Sequence, residues 1–531
     1  MPEDLNERGF VVKKWKNRVP VCVVYPDSYY IGMSNLAIHQ LYKTLNGIEK
    51  VVCERAFFEK DRKIFSLESK KDLTSFEILF FSISYELSYL NIAPILIGSG
   101  IPLRRKERKK EDPILVGGGI TLIANPEPLA EFFDLFILGD IEATIPDFME
   151  CYLKVREKKR KSVIEELSSF SWVYNPSFLS VSYKEDGTVS SFHPPNFKVR
   201  VKYKKGGTLA KSAILCEKTE FSNIYLIEGT RGCPSRCPFC LMGNVYGFRV
   251  DKGSISLALK ENVSDVGIIG GGVSFMPEIL SLIRDLKRGG KRVHLPSLRI
   301  DKIPYELIRD IKDDIKTLTF GIEAASSHLR AALGKPISED EILERIEKIL
   351  EIESFNFKLY FMIGLPGEKK EDVEAIFELA KKIRHVLVKK MAPRGYISRL
   401  TIHVSPFVPK PRTPLQWVKM ENPVVLEEKV KWLKNKFSKL GGTVFTHESV
   451  KYSFLQGVLA RGDRRLSGIL ESICEGRSIG RLFWEGPLNL GFYSLRERGE
   501  DEIFPWDFIE GPRKKAELYE EFKRYLSILK I

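Results

Sequence analysis

Eight cysteines occur in 531 residues, and three of them fall in one short stretch, Arg231-Gly-Cys-Pro-Ser-Arg-Cys-Pro-Phe-Cys240. Cys233, Cys237 and Cys240 have the spacing Cys-x3-Cys-x2-Cys, just past a predicted strand. Three thiolates on one short loop can hold three corners of an iron–sulfur cube, because soft thiolate ligands suit iron. No fourth cysteine or histidine lies within a few residues, which leaves one iron open to a small ligand and argues against a closed structural zinc site. The glycine and proline around the thiols let the loop wrap a cofactor, which a core segment would not need. Cys22, Cys53, Cys151, Cys216 and Cys474 stand alone and read as small buried hydrophobes. Eight cysteines are also too few for a disulfide-stapled secreted scaffold.

The elements that must position this loop read as α/β. Apolar runs at Val21 to Pro26, Ile78 to Ser84, Ile114 to Gly119 and Leu135 to Gly139 alternate with helical patterns, as in a doubly wound, Rossmann-like domain over residues 1–153. Continuous apolar strands separated by helices indicate a parallel sheet covered on both faces. Such sheets bind ligands beyond the carboxyl ends of their strands, where Asp27 to Gly32, Ser82 to Tyr85 and Gly117 to Gly119 fall. Residues 154–215 form a linker with a β-hairpin about the Asp186-Gly187 turn. From Ile224 the βα rhythm resumes, with strand signals at 224–228, 266–269, 293–295, 317–320, 357–363 and 399–404 and helices at 339–352 and 370–388. This predicts a partial or complete βα barrel over 216–424, with its chemistry on the loops after the strands. A helix-rich region is expected from 425 to 531.

Composition sets the remaining bounds. Residues are 43% hydrophobic and 29% charged, which excludes a mainly disordered, collagen-like or coiled-coil chain. A net charge of +14 permits an anionic partner such as RNA, although no motif of a named RNA-binding module is present. The polar amino terminus shows no signal peptide, and the apolar stretch Phe76 to Leu103 is interrupted too often to span a bilayer. A cytoplasmic protein with no membrane partner is expected. The scarcity of glutamine among much Lys and Glu suggests a thermophilic source.

The cysteine spacing, with the aromatic Phe239 before the last thiol, resembles the signature of the radical S-adenosylmethionine (SAM) superfamily. The resemblance extends over residues 224 to 410. It implies a 4Fe–4S cluster on Cys233, Cys237 and Cys240 whose free iron chelates SAM, reductive cleavage to a 5′-deoxyadenosyl radical, and an external electron donor such as flavodoxin or ferredoxin. Gly270-Gly-Gly272 resembles the family's glycine motif, with Gly271 and Gly272 toward the amino group of SAM, although the usual acidic residue is replaced by Val273. Ser297 and Arg299 after the third strand and Glu323 after the fourth would position the cosubstrate, with an ordinary salt bridge as the alternative for Arg299 and Glu323. Glu368 stands in the stretch that resembles the fifth-strand motif, or serves as a helix-start carboxylate.

The order of domains resembles the branch of that superfamily in which a cobalamin-binding domain precedes the radical domain. The resemblance implies cobalamin contacts from Asp27, Tyr29, Gly32, Ser82, Ser84, Gly117, Gly118 and Gly119. Tyr29 stands where the cobalt-ligating histidine of other cobalamin modules would be. Tyr25 to Leu36, Asn125 to Leu129, Ser405 to Pro414 and Ala460 to Leu466 resemble an uncharacterised family of that branch. Arg461, Asp463, Arg464 and Arg465 would clamp an anionic substrate or pair with one another on a surface helix. The activity implied is cobalamin-dependent methyl transfer to an unactivated carbon. The alternatives are a radical enzyme without functional cobalamin, modifying RNA or a peptide, and a non-catalytic iron–sulfur protein that binds RNA. The substrate, whether RNA, peptide or small molecule, and the catalytic residues acting on it are not readable.

Overall fold

In the computed structural model the described residues are 5–60, 62–251, 253–478, 480 and 489–531. The chain divides into two compact units. Unit 1 comprises the chain up to Leu226 with Val458–Tyr493 and Asp501–Lys514, and unit 2 comprises Ile227–Gly457, Ser494–Glu500 and Lys515–Ile531. The carboxy-terminal stretch expected as one region from 425 to 531 is thus shared between the two. No helix among the described residues is long and apolar enough to cross a membrane.

Unit 1 is built on a sheet of strands β1 (Val19–Tyr25), β2 (Val51–Phe57), β3 (Ile78–Ser82), β4 (Ile114–Gly118), β5 (Leu135–Ile137) and β6 (Val173–Tyr174), in the order β2-β1-β3-β4-β5-β6. The first five are parallel and β6 is antiparallel. The strand order reverses between β1 and β3, the place where open α/β sheets form a ligand crevice. Every residue of β3 is buried, as a strand covered on both faces requires. Ile38, Leu41 and Tyr42 of helix Leu36–Asn46, and Ile145 and Phe148 of helix Ile141–Val155, share one core with β1 and β3.

Strand β2 is absent from the sequence reading, because Glu54 and Arg55 break its apolar run. The structure resolves the contradiction by pairing. The buried Arg55 guanidinium lies 2.6 Å from Glu7 and 2.7 Å from Glu68. Charges buried in this way are tolerated only when matched.

The expected hairpin is present as β7 (Ser180–Tyr183) and β8 (Val189–His193). Next, β9 (Val199–Arg200) pairs in parallel with Ile509–Glu510 from the far end of the chain. A second long-range join is polar. The Asn125 amide donates to the carbonyls of Ala460 and Gly462, at 2.9 and 2.8 Å. Arg464 donates to both oxygens of the fully buried Glu127, at 2.8 and 3.1 Å, and Tyr174 donates to the same carboxylate. Arg465 pairs with Asp463 at 2.6 Å and lies over the Tyr183 ring. Of the two sequence readings of Ala460 to Leu466, mutual pairing holds for Asp463 with Arg465. Arg464 is consumed by Glu127 and fastens the returning chain to unit 1.

Unit 2 contains β10 (Tyr225–Glu228), which carries the chain into it, β11 (Thr230–Arg231), β12 (Arg249–Val250), β13 (Asp265–Ile269), β14 (Arg292–His294), β15 (Thr317–Glu323), β16 (Asn356–Ile363), β17 (Leu400–Pro406) and β18 (Thr443–His447). Strands β10-β13-β14 form one sheet and β15-β16-β17-β18 another. A parallel bridge between Leu298 and Phe320 connects them. The βα segment is therefore a partial barrel. Along β16, Phe357, Leu359, Phe361 and Ile363 are buried while the residues between them are half-buried, the alternation of a strand with one face on the core.

Removing one partner of a buried ion pair costs about 3 kcal/mol or more. Arg464→Ala should therefore lower the denaturation midpoint of unit 1 clearly, and Glu127→Gln by less, since Tyr174 keeps an acceptor. An unchanged midpoint in Arg464→Ala, followed by tryptophan fluorescence, would remove this join from the forces holding the fold.

Candidate iron–sulfur site

The cysteine loop is closed at its base by β11 and β12, which pair antiparallel through Thr230–Val250 and Arg231–Arg249. Inside it, Asn244 donates its side-chain amide to the carbonyls of Cys237 and Cys240, at 3.1 and 2.7 Å. Helix Leu241–Val245 starts directly after Cys240. Gly243 lets this helix close on the loop, since a Cβ there would stand 2.8 Å from Arg236 Cα. Phe239 packs into the core containing Ala324, Leu329 and Leu365 and pins the loop to the barrel.

All three thiols are free. Burial pushes the Cys237 thiol up to about 12, against the pull of Lys335 and Arg299 toward the thiolate. Burial also raises Cys240, opposed by backbone amides of Gly243 and Met242 that donate to its sulfur. No three His, Cys, Asp or Glu side chains among the described residues converge as ligands of a single metal ion. A 4Fe–4S cube does not ask for that convergence, because each thiolate meets a different iron. One buried and two half-buried free thiols, two cations and two amides aimed at sulfur fit a cluster held by thiolates.

The residues expected to hold SAM are distributed unequally around this loop. Glu323 ends β15 at a bulge in the pairing with β16 and adopts φ +70°, a strained backbone for a side chain of its size. Its carboxylate accepts from Lys335 Nζ at 2.6 Å, and the same ammonium donates to Gly321 O at 2.7 Å. Arg299 donates to both oxygens of Asp301, at 3.0 and 2.9 Å, and to Ser235 Oγ of the cysteine loop at 2.8 Å. Both residues therefore form the ordinary salt bridge and also stand at the loop. Lys335, Asp301 and Ser235 were missed. Only the Arg299-Ile-Asp301 spacing carried a signal, and Lys335 lies on a connecting turn with none. Gly271 is exposed at the loop, 3.4 Å from Gly232 O as measured from an added Cβ, whereas Gly272 is filled by the Phe248 ring at 2.5 Å. Ser297 is exposed. Glu368 accepts from Lys429 at 2.7 Å and from Gly364 N at 2.9 Å, a structural role at the start of a helix.

Unit 1 places Asp27, Ser82, Ser84 and Gly118 along the carboxyl edge of its sheet, and several of the residues inferred for cobalamin have partners within the unit. The Tyr29 hydroxyl donates to Glu7 at 2.6 Å within the Arg55 cluster. Ser84 Oγ accepts from Asn35 at 2.9 Å. Gly119 has φ +129°, and a Cβ there would lie 2.1 Å from Ile83 O; Gly32 and Gly117 are backed by Phe57 and Phe136 at 2.5 and 2.8 Å. At these positions the space that glycine leaves is taken by the protein itself.

Comparison with known proteins now bears on the geometry. A family model described as radical SAM proteins, N-terminal, matches residues 37–176, and one described as radical SAM superfamily matches residues 227–380. The chain belongs to the radical SAM superfamily. Membership makes it an enzyme. An uncharacterized protein of Methanocaldococcus jannaschii is 29% identical over 87% of this chain and 92% of its own length. An uncharacterized methyltransferase of Pyrococcus horikoshii is 23% identical over 51% of this chain and 59% of its own. The ribosomal protein uS12 methylthiotransferase RimO of Carboxydothermus hydrogenoformans is 26% identical over 29% of this chain and 39% of its own. Among solved structures, the radical SAM methyltransferase TsrM from Kitasatospora setae, with cobalamin and a 4Fe–4S cluster bound, aligns with a TM-score of 0.47 and 13% identity over 75% of this chain and 74% of that one.

In the cluster-free, reduced protein, the Cys237 thiol at about 12 should carry roughly a thousandfold less thiolate near pH 8 than a thiol at the usual value of 9.0. Its alkylation by iodoacetamide, followed by peptide mass spectrometry, should be slow and rise about tenfold per pH unit until the pH approaches 12. Lys335→Ala removes a cation that favours the thiolate and should slow it further. Faster alkylation in that variant would contradict the electrostatics described.

Proposed function

We propose that this radical SAM enzyme holds a 4Fe–4S cluster on Cys233, Cys237 and Cys240 and uses it to cleave SAM to a 5′-deoxyadenosyl radical that abstracts hydrogen from a substrate. The observation that carries the reading is the loop itself, three free thiols flanked by Arg299, Lys335 and two sulfur-directed amides. The cluster, when bound, supplies the electron for cleavage. Arg299 and Lys335 favour the thiolate form of Cys237 against burial, and Ser235 ties Arg299 to the loop. Glu323 and the backbone at Gly271 are the groups offered to the amino and ribose groups of SAM. An external one-electron donor such as a flavodoxin or ferredoxin completes the scheme, in a cytoplasmic setting where free thiols persist.

The finer reading is methyl transfer to an unactivated carbon with cobalamin. Its support is the strand order of unit 1, with Asp27, Ser82 and Gly118 at the edge where the order reverses. Because the neighbouring glycines and Tyr29 are taken up internally, no step is assigned to cobalamin. The other reading, a radical enzyme that modifies RNA or a peptide without cobalamin, needs no further group in unit 1.

Two measurements test this. Cys→Ala at all three positions should abolish both the visible iron–sulfur absorbance and reductive cleavage of SAM after anaerobic reconstitution. Full iron retention in the triple variant would sink the assignment. Reconstitution with hydroxocobalamin separates the finer readings: stoichiometric corrin uptake supports methyl transfer, while SAM cleavage without corrin uptake supports the reading without it.

A further inference from the structure

A groove of about 490 Å³ in unit 1, away from the sheet edge discussed above, gathers seven Lys or Arg side chains against two carboxylates. Its basic wall is the loop Arg104-Arg-Lys-Glu-Arg-Lys-Lys110, which follows β3 and its helix. Its floor is unusual in charge. Arg108 and Arg160 both donate to one oxygen of the buried Asp134, at 3.1 and 2.8 Å, and Leu115 N donates to that oxygen at 2.9 Å. Two guanidinium groups thus share one carboxylate, and a net positive charge is fixed beneath the groove.

Above that floor, Lys106, Lys109 and Lys110 are exposed and have no ion-pair partner among the described residues. Lys161 reaches a carboxylate only at 3.9 Å, from Glu165. The groove also contains an aromatic side chain in water, Phe178, which is 44% exposed. A large apolar ring is not left in water by a loose loop here. Asn175 accepts from Ser177 N at 2.9 Å, and Leu179 O accepts from Arg464 at 2.7 Å, so the backbone on both sides of Phe178 is held.

Fixed cations along a concave wall, with one rigid exposed ring among them, suit a chain that carries an anion and a flat apolar face at each repeat. We propose that this groove docks a single-stranded nucleic acid, with Lys106, Lys109, Lys110 and Lys161 on its phosphates and a base stacked on Phe178. An anionic bilayer offers phosphates as well, but a flat one, and would not reach the floor of a groove. A duplex presents no free base face to the ring. The proposal goes beyond the cluster chemistry and does not rest on it, because binding can be read on the full chain without SAM cleavage.

The test is fluorescence anisotropy of a labelled oligouridylate of about 12 nucleotides with the full-length protein, alongside oligothymidylate, a duplex of equal length, and phosphatidylcholine vesicles containing phosphatidylglycerol. The single strand should bind at low salt and weaken as salt rises. Oligothymidylate binding equally assigns the site to either nucleic acid, and weaker binding assigns it to RNA. The triple variant Lys106→Ala, Lys109→Ala, Lys110→Ala should flatten the salt slope by about 2, at about 0.7 per phosphate contact on a single strand. Phe178→Ala should weaken binding about fivefold or more with the salt slope unchanged. All four side chains are solvent-exposed, and an unchanged thermal unfolding midpoint of the variants serves as the folding control. Equal affinity and slope in the triple variant, tighter binding of the duplex, or binding of vesicles alone would overturn the proposal.

Discussion

Thiols crowded onto one short loop are the constraint around which unit 2 is arranged. Ionised thiols raise one another, as Cys240 does Cys237 and Cys233 does Cys240, and Glu323 adds to both. The pull toward thiolate at Cys237 therefore comes from cations brought from elsewhere in the chain. Arg299 arrives after β14 and Lys335 from the turn after helix Ser327–Ala332. Each cation is anchored by a carboxylate of its own, Asp301 or Glu323. The strained backbone at Glu323 follows from the same need. The bulge turns that carboxylate toward Lys335 above Gly321, where a larger residue would collide with Glu323 Oε1, 2.6 Å from the position of a Cβ.

Unit 1 solves a different electrostatic problem. Its buried charges lie in separate clusters rather than at a common centre, and each is matched by residues distant in sequence. Glu7 meets Arg55, Glu127 meets Arg464, and Arg108 with Arg160 meet Asp134. Such pairs give direction to a fold whose apolar strands could slide past one another, because a shifted register would leave a charge in the core without its partner.

The six strands read from Ile224 onward and the hairpin about Asp186-Gly187 were legible because hydrophobic runs and turn residues are local signals. The cysteine loop was legible for a related reason, since its three thiols fall within eight residues of one another. What escaped was non-local. Strand β2 carries Glu54 and Arg55, and only Glu7 and Glu68, distant in sequence, make it a strand. Strand β18 is half exposed, so its pattern is too polar to stand out from the helices around it. The run Ala460 to Leu466 looked like an anion clamp because its carboxylate, Glu127, lies more than three hundred residues earlier in the chain. Gly117 and Gly119 read as room for a ligand, but an absent side chain makes room for any neighbour, and here the neighbours are Phe136 and Ile83.

The alternation of the carboxy-terminal chain between the two units has a consequence for how the protein is made. A ribosome delivers the parallel sheet of unit 1 first, yet the residues that cap Asn125 and Glu127, and the strand that pairs with β9, emerge only with the last segments. Unit 2 likewise waits for helix Lys515–Leu529, whose Tyr525 closes on Pro366 O at 2.9 Å. Neither unit is a contiguous stretch that can mature while the other is still being translated. Each becomes complete only after most of the other has been made, and a nascent chain cut short anywhere before Arg464 would lack finishing pieces of both.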